Sequence, residues 1–156
     1  MRISQAAPQR SRKTTPQSSS AVDRVRCVLM RDQRFLLARH NSRRRENRSR
    51  WGLAGGRVRD RENPQECLRR ELMEELGCRV PYLIELGDWQ HRHETHRIFG
   101  CEITQNIETY DTDELSAIAW FTLAEVAQLA AAGRLRTGFE LAAIAAFERQ
   151  RASGRG

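Results

Sequence analysis

A chain of 156 residues with 39% hydrophobic content is sized for one domain around one core. No apolar run approaches the roughly 18 residues of a membrane span, and the first 20 residues lack a secretory hydrophobic segment, so a cytoplasmic protein with no membrane partner is expected. The formal charge of +7 resides in residues 1–20 and 39–50, and Lys13 is the sole lysine among 27 basic residues, a skew that reads as coding bias, so basicity alone does not mark a nucleic-acid binder.

Residues 1–20 are rich in Ser, Gln, Thr and Pro with little to bury, which predicts a disordered basic tail ahead of a domain spanning 21–150. Arg24 to Met30 and Arg34 to Ala38 are rich in Val, Leu and Phe around Arg31-Asp32-Gln33. They predict a β-hairpin with Val25, Cys27 and Leu29 facing inward. Arg39, His40 and then Arg43, Arg44, Arg45, Arg48 and Arg50 predict a mobile surface loop. Such a run is either a solvated face or an electrostatic funnel for a polyphosphate. Arg39, at a strand end, is the candidate for direct phosphate contact. Cys27, Cys67, Cys78 and Cys101 form no CxxC pair and read as buried, reduced residues.

The most informative stretch runs from Trp51 to Val80. Gly55 and Gly56 allow close backbone approach, and a helix follows. Asn63 suits its N-cap, Pro64 its first position, Glu66 the reciprocal acid of a capping box, and Gly77 its end. Glu71, Glu74 and Glu75 fall at i, i+3 and i+4 on one face, while Leu68, Leu72 and Leu76 form a separate apolar stripe. The bland reading is a solvated face with i, i+4 pairs from Glu66 to Arg70 and Arg70 to Glu74. The sharper reading is an oxygen site for Mg²⁺ or Mn²⁺.

The spacing favours the second. Gly56, five residues, Glu62, seven residues, then Arg70-Glu71-Leu72-x-Glu74-Glu75-x-Gly77-Cys78 resembles the box of the Nudix hydrolases. Cys78 stands where that family usually has a bulky aliphatic residue, and Ala54 where the preceding loop commonly has proline. The resemblance implies Glu62, Arg70, Glu71, Glu74 and Glu75 as catalytic residues. It implies a metal site of Glu71, Glu74, Glu75, Glu114 and Gly55, with Arg39 and Gly56 at the substrate.

Beyond the box, Tyr82 to Gln90 and Arg97 to Thr104 predict two strands joined by His91-Arg92-His93-Glu94-Thr95-His96. HETH lacks the HExxH spacing of a zinc helix, so the segment reads as a turn whose histidines could line a pocket. Asp111, Asp113 and Glu114 precede a strand from Ala117 to Phe121, and the resemblance selects Glu114 as a fourth metal-directed acid. Thr122 and Glu125 open a helix with Leu123, Val126, Ala127 and Ala130 on its apolar face, ended by Gly133. A last helix from about Phe139 to Gln150 carries Leu141, Ile144 and Phe147, with 151–156 expected to fray.

Strands interleaved with three helices give an α/β fold, an α/β/α sandwich with a mixed sheet, which the resemblance also implies. The implied activity is divalent-metal-dependent hydrolysis of a phosphoric anhydride in a nucleoside diphosphate linked to another moiety, with Glu75 or Glu114 as general base. An RNA 5′-end pyrophosphohydrolase drawing on the arginine loop, and a non-catalytic nucleotide- or RNA-binding module, are the alternatives, and the intact carboxylates weigh against the latter. Substrate markers are missing: His93 stands where ADP-ribose enzymes tend to have proline, and Glu94-Thr95-His96 where dinucleoside polyphosphate enzymes have tyrosine. A homodimer stays open.

Overall fold

The fold is described for residues 22–154 of a computed structural model; the expected tail at 1–20 lies outside these residues. β1 (Arg24–Arg31) is the central strand. One of its edges pairs in parallel with β5 (Glu94–Glu102) along its whole length. Its other edge is divided. Met30 and Arg31 pair with β2 (Arg34–His40), whereas Arg24 to Cys27 pair with β3 (Ala54–Arg57), both antiparallel. β2 turns away to pair with β6 (Leu115–Phe121), and β4 (Ile84–His91) closes the opposite edge against β5. One parallel pair among antiparallel ones makes the sheet mixed, and the parting of β2 from β3 opens a cleft.

α1 (Pro64–Leu76) covers one face of the sheet through Cys67, Leu68, Leu72 and Leu76, packed with Val25, Cys27 and Leu29. α2 (Leu123–Ala131) and α3 (Glu140–Gly154) cover the other face, where Val126, Ile144 and Phe147 meet Val28, Met30 and Leu37. The sandwich is therefore α/β/α. β1 is buried on both faces, not only at Val25, Cys27 and Leu29, because helices cover each side and a central strand has no wet face.

The local signals explain the elements. Asn63 Oδ1 accepts from the Glu66 N–H at 3.0 Å, a cap worth about 1 kcal/mol, and Gly77 ends α1 in the left-handed region at φ 60°. Thr122 and Glu125 form a reciprocal capping box on α2. Asp32-Gln33 and Arg92-His93 are two-residue hairpin turns with positive φ at both positions, matching the right-handed strand twist.

Four expectations change in detail. The turn after β4 is only Arg92-His93, so His91 and His96 are strand residues. On α2, Leu123 and Ala127 are exposed; Val126 is buried, and Leu129 and Ala130 pack partly buried beside it. α3 continues through Gly154 and does not fray at Arg151, which pairs with Glu148 at 2.7 Å and reaches Glu102 at 3.6 Å. The arginine loop contains a turn of 3-10 helix at Arg45–Asn47 with Asn47 buried, so part of it is anchored. All four cysteines are buried and free. Among the described residues no helix is long and apolar enough to cross a membrane.

Candidate active site

Where β2 and β3 part, a cleft of about 400 Å³ opens. Glu71 and Glu75 enter it from α1 and Glu114 from the loop before β6. Arg24, Arg26, Arg57, Arg59 and Arg136 supply the opposite charge. The loop that carries Glu114 is clamped at both ends. Asp111 N–H donates to the Glu75 carbonyl, Asn41 N–H to the Glu114 carbonyl, each at 2.8 Å, and the Asn41 side chain donates to the Thr112 and Asp113 carbonyls. A backbone tie to α1 and another to the end of β2 thus bring a loop acid beside two helix acids.

Two glycines make room for this arrangement. Gly55 adopts φ 148°, and a side chain there would strike the Val25 carbonyl across the β1–β3 pair. A Cβ on Gly56 would run into the Glu71 carboxyl group, so only glycine lets β3 pass beneath that carboxylate.

Arg70 is the organiser of the acidic helix face. Its Nε and Nη2 donate to both oxygens of Glu62 at 2.7 and 2.9 Å, and its Nη1 donates to Glu71 at 2.9 Å and Glu74 at 3.1 Å. The hydrogen bond from Arg70 holds the Glu62 carboxyl at about 2, well below the usual carboxylate range. The three box acids therefore do not all converge. Glu71 and Glu75 line the cleft, whereas Glu74 stays half-exposed at its rim, because an i, i+4 guanidinium attracts it and the crowded carboxylates repel it. Of the two i, i+4 pairs of the solvated-face reading, Arg70–Glu74 forms and Glu66–Arg70 does not, since Arg70 also takes up Glu62.

Glu75 is only 4% exposed, and its Oε1 has no hydrogen-bond partner among the described residues. Burial foremost, then the Glu71 charge, pushes its carboxyl up to about 8; Arg26 and the Gly55 backbone oppose the rise and Glu114 adds to it. Among the described residues no three acidic, histidine or cysteine side chains stand close enough to clasp an ion unaided. A hard cation completed by substrate oxygens and water suits such a partial set.

The sequence model of the NUDIX domain matches residues 21–140. The chain belongs to the Nudix family. A MutT NUDIX hydrolase from Burkholderia pseudomallei is 26% identical over 65% of this chain and 84% of its own, with a TM-score of 0.57. The MutT protein from Methanosarcina mazei Go1 (19%, 83% and 94% covered, TM-score 0.65) shares the fold. So does the NUDIX domain of Shewanella oneidensis NrtR, solved in complex with ADP ribose (19%, 85% and 90% covered, TM-score 0.68). No curated protein matches. The protein is a Nudix hydrolase, of a family that hydrolyses pyrophosphate bonds.

Within this Nudix cleft, Arg39 takes another place than the one expected. Its guanidinium lies over the Trp51 ring at 5.0 Å and does not line the cleft. The arginines that do, Arg24, Arg26, Arg57, Arg59 and Arg136, escaped the sequence reading. Arg26 interrupts the apolar run of β1, a charge in a buried strand, and was the available signal. Arg136 had none. It is set by Glu140, fully buried, whose carboxylate accepts from the Thr137 and Gly138 N–H groups at 2.9 and 2.8 Å and so shapes the turn after Arg136. Trp51 pairs with the same segment, accepting from Arg136 N–H at 2.8 Å. His40 is buried in the cleft wall with neither ring nitrogen partnered among the described residues, and burial, then Arg26, holds it well below the usual imidazole range.

Proposed function

We propose that this enzyme hydrolyses a phosphoric anhydride bond in a nucleoside diphosphate linked to another moiety, with Mg²⁺ or Mn²⁺ as cofactor. The observation that supports this best is the buried, unpartnered oxygen of Glu75 facing Glu71 and Glu114 in a cleft otherwise walled by arginines. Glu71, Glu75, Glu114 and the backbone of Gly55 would hold the cation, with Glu74 at the rim. The cation supplies charge neutralisation at phosphate oxygens and a more acidic water. Arg70 fixes the Glu71 carboxylate and is itself fixed by Glu62, so both act by positioning. Arg26, Arg24 and Arg136 bind the anionic oxygens on the other side, and Glu75 or Glu114 takes the proton from the attacking water. Phosphoryl chemistry of this type depends on placement and charge more than on a covalent intermediate.

A panel of nucleoside triphosphates, nucleotide sugars, ADP-ribose and 5′-triphosphorylated RNA tests the reading. ADP-ribose belongs in it because a structural neighbour binds that ligand. Turnover should vanish on metal stripping and return with Mg²⁺ or Mn²⁺; undiminished turnover without metal would overturn the assignment of the acids.

A further inference from the structure

The carboxylate-lined cleft continues into a second lobe of about 280 Å³, and Arg24, Arg26 and Arg136 belong to both. Beyond those three arginines, the second lobe has no use in anhydride hydrolysis as described above. Six arginines line it, the three shared ones with Arg43, Arg44 and Arg92, against a single carboxylate, Glu94. That carboxylate is already claimed. Arg24 holds one oxygen at 2.8 Å and Arg57 the other at 2.7 Å. Arg26, Arg43, Arg92 and Arg136 are thus gathered without an ion pair among the described residues, at a cost that burial increases for Arg26. The symptom is visible in Arg26, whose guanidinium is pulled down to about 10 by burial first, then by Arg136 and Arg24.

Two unpartnered donor groups face this space, beside the unpartnered Oδ1 of buried Asn47. His96, 2% exposed, lines the lobe with neither nitrogen hydrogen-bonded among the described residues, its ring fixed edge-on against Phe139 at 5.2 Å and His91 at 6.0 Å. Arg136 Nη1 is likewise buried and unpartnered. Buried polar groups of this kind are ordinarily satisfied, and each left unmet costs about 1–3 kcal/mol. Leaving two of them beside an excess of positive charge implies a ligand that accepts hydrogen bonds and carries negative charge. A nucleobase fits poorly, since among the described residues no Phe, Tyr or Trp lines the lobe and a neutral ring would leave the guanidiniums unbalanced.

We propose that the basic lobe is a phosphate subsite, and that the preferred substrate is a small nucleoside diphosphate derivative whose ribose or linked moiety itself carries a further phosphate monoester. The inference rests on the reading of the acidic lobe as the place of cleavage. A terminal phosphate monoester, a dianion with three free oxygens, matches the surplus of positive charge and the two idle donors better than the single charge of a polymer phosphodiester. His96 and Asn47, both buried, stand in the lobe's wall, and Arg43, Arg44 and Arg92 line it from two exposed loops.

The subsite can be tested apart from catalysis. Inorganic phosphate is titrated into the metal-stripped full chain at low salt, by calorimetry and by the imidazole resonances of His96. Binding should move the His96 signals. It should weaken about tenfold in Arg43→Gln/Arg44→Gln/Arg92→Gln and hold within about twofold in a charge-matched control of exposed residues, Arg34→Gln/Arg134→Gln/Arg149→Gln. Equal losses in both triples, or unmoved His96 signals, would overturn the proposal. A kinetic arm compares ADP-ribose with its 2′-phosphate and ATP with adenosine tetraphosphate under Mg²⁺. At least one phosphorylated member should be favoured about tenfold in kcat/KM, through KM, and the Arg43/Arg44/Arg92 triple should erase the preference. Absence of preference in both pairs overturns the substrate class. So does 5′-triphosphorylated RNA, if it outperforms both pairs and improves with chain length. If no anhydride is cleaved at all, the functional reading fails while the phosphate titration still decides the subsite.

Discussion

The two lobes share three arginines and differ in what they lack. In the acidic lobe burial raises a carboxyl, Glu75, to about 8, because two more acids stand nearby and too little positive charge reaches it. In the basic lobe burial, and then Arg26 and Arg24, lower an imidazole, His96, to about 4. One physical cause, loss of water, moves the two groups in opposite directions and leaves each neutral in the absence of ligand. The contrast suits the composite ligand proposed above, a cation on one side and a polyanion spanning both. Neither lobe is satisfied by the protein alone.

The largest expected effect breaks the acidic side. Glu75→Gln keeps the volume of the side chain and removes its charge, so kcat should fall by about 10²–10⁴-fold whether Glu75 acts as ligand or as base. Glu62→Gln leaves the cleft intact and loosens only the bidentate grip on Arg70, so its loss should be nearer 10- to 100-fold. Melting temperatures in EDTA at pH 8 should separate them further: Glu75→Gln rises as buried repulsion is relieved, and Glu62→Gln drops as Arg70 loses its partner. Near-normal turnover of Glu75→Gln at saturating Mg²⁺, or a larger loss in Glu62→Gln, would reverse the roles.

A smaller effect is expected at Glu74, which sequence spacing alone makes equivalent to Glu71. The structure ties it to Arg70 at the rim, half-exposed, so Glu74→Gln should cost about tenfold. A loss as large as that of Glu75→Gln would mean that the Arg70 pair yields when the cation binds, and would enlarge the acidic lobe to four carboxylates.

The difference between Glu74 and Glu75 marks how far the sequence could be read. Periodicity and caps placed α1 and its buried leucines, because those signals are local to the helix. The box spacing pointed to the acids. Arg70 binds Glu62, Glu71 and Glu74 at once, and of these only Glu71 also lines the cleft, a placement made in three dimensions. The basic lobe was still less legible. Its residues come from β1, the loop after β2, the β4–β5 turn and the segment before α3, and no spacing rule joins them. Arg39 keeps the strand-end position read from the sequence, while its guanidinium lies over Trp51. His96 looked like turn chemistry until the register Trp89↔His96 placed it in the sheet, while Arg92 stays in the turn.

The smallest expected effects are on stability, and they carry opposite signs in the two lobes. In metal-free protein Glu75 ionises at about 8 instead of its ordinary 4.5, so between these values the folded chain binds more protons than the unfolded one. Stability is therefore lost as pH rises through that window. His96 titrates at about 4 instead of 6.5, so the folded chain binds fewer protons there, and stability is lost as pH falls from 6.5 toward 4. Melting curves of wild type minus Glu75→Gln should accordingly slope downward from pH 4.5 to 8, and wild type minus His96→Leu should slope upward from pH 4 to 6.5. Mg²⁺ should flatten the first difference by stabilising the ionised Glu75 and leave the second unchanged, since His96 lies outside the carboxylate-lined lobe. If Mg²⁺ flattens both, or if both differences slope the same way, the lobes are one electrostatic unit and the division drawn between them does not hold.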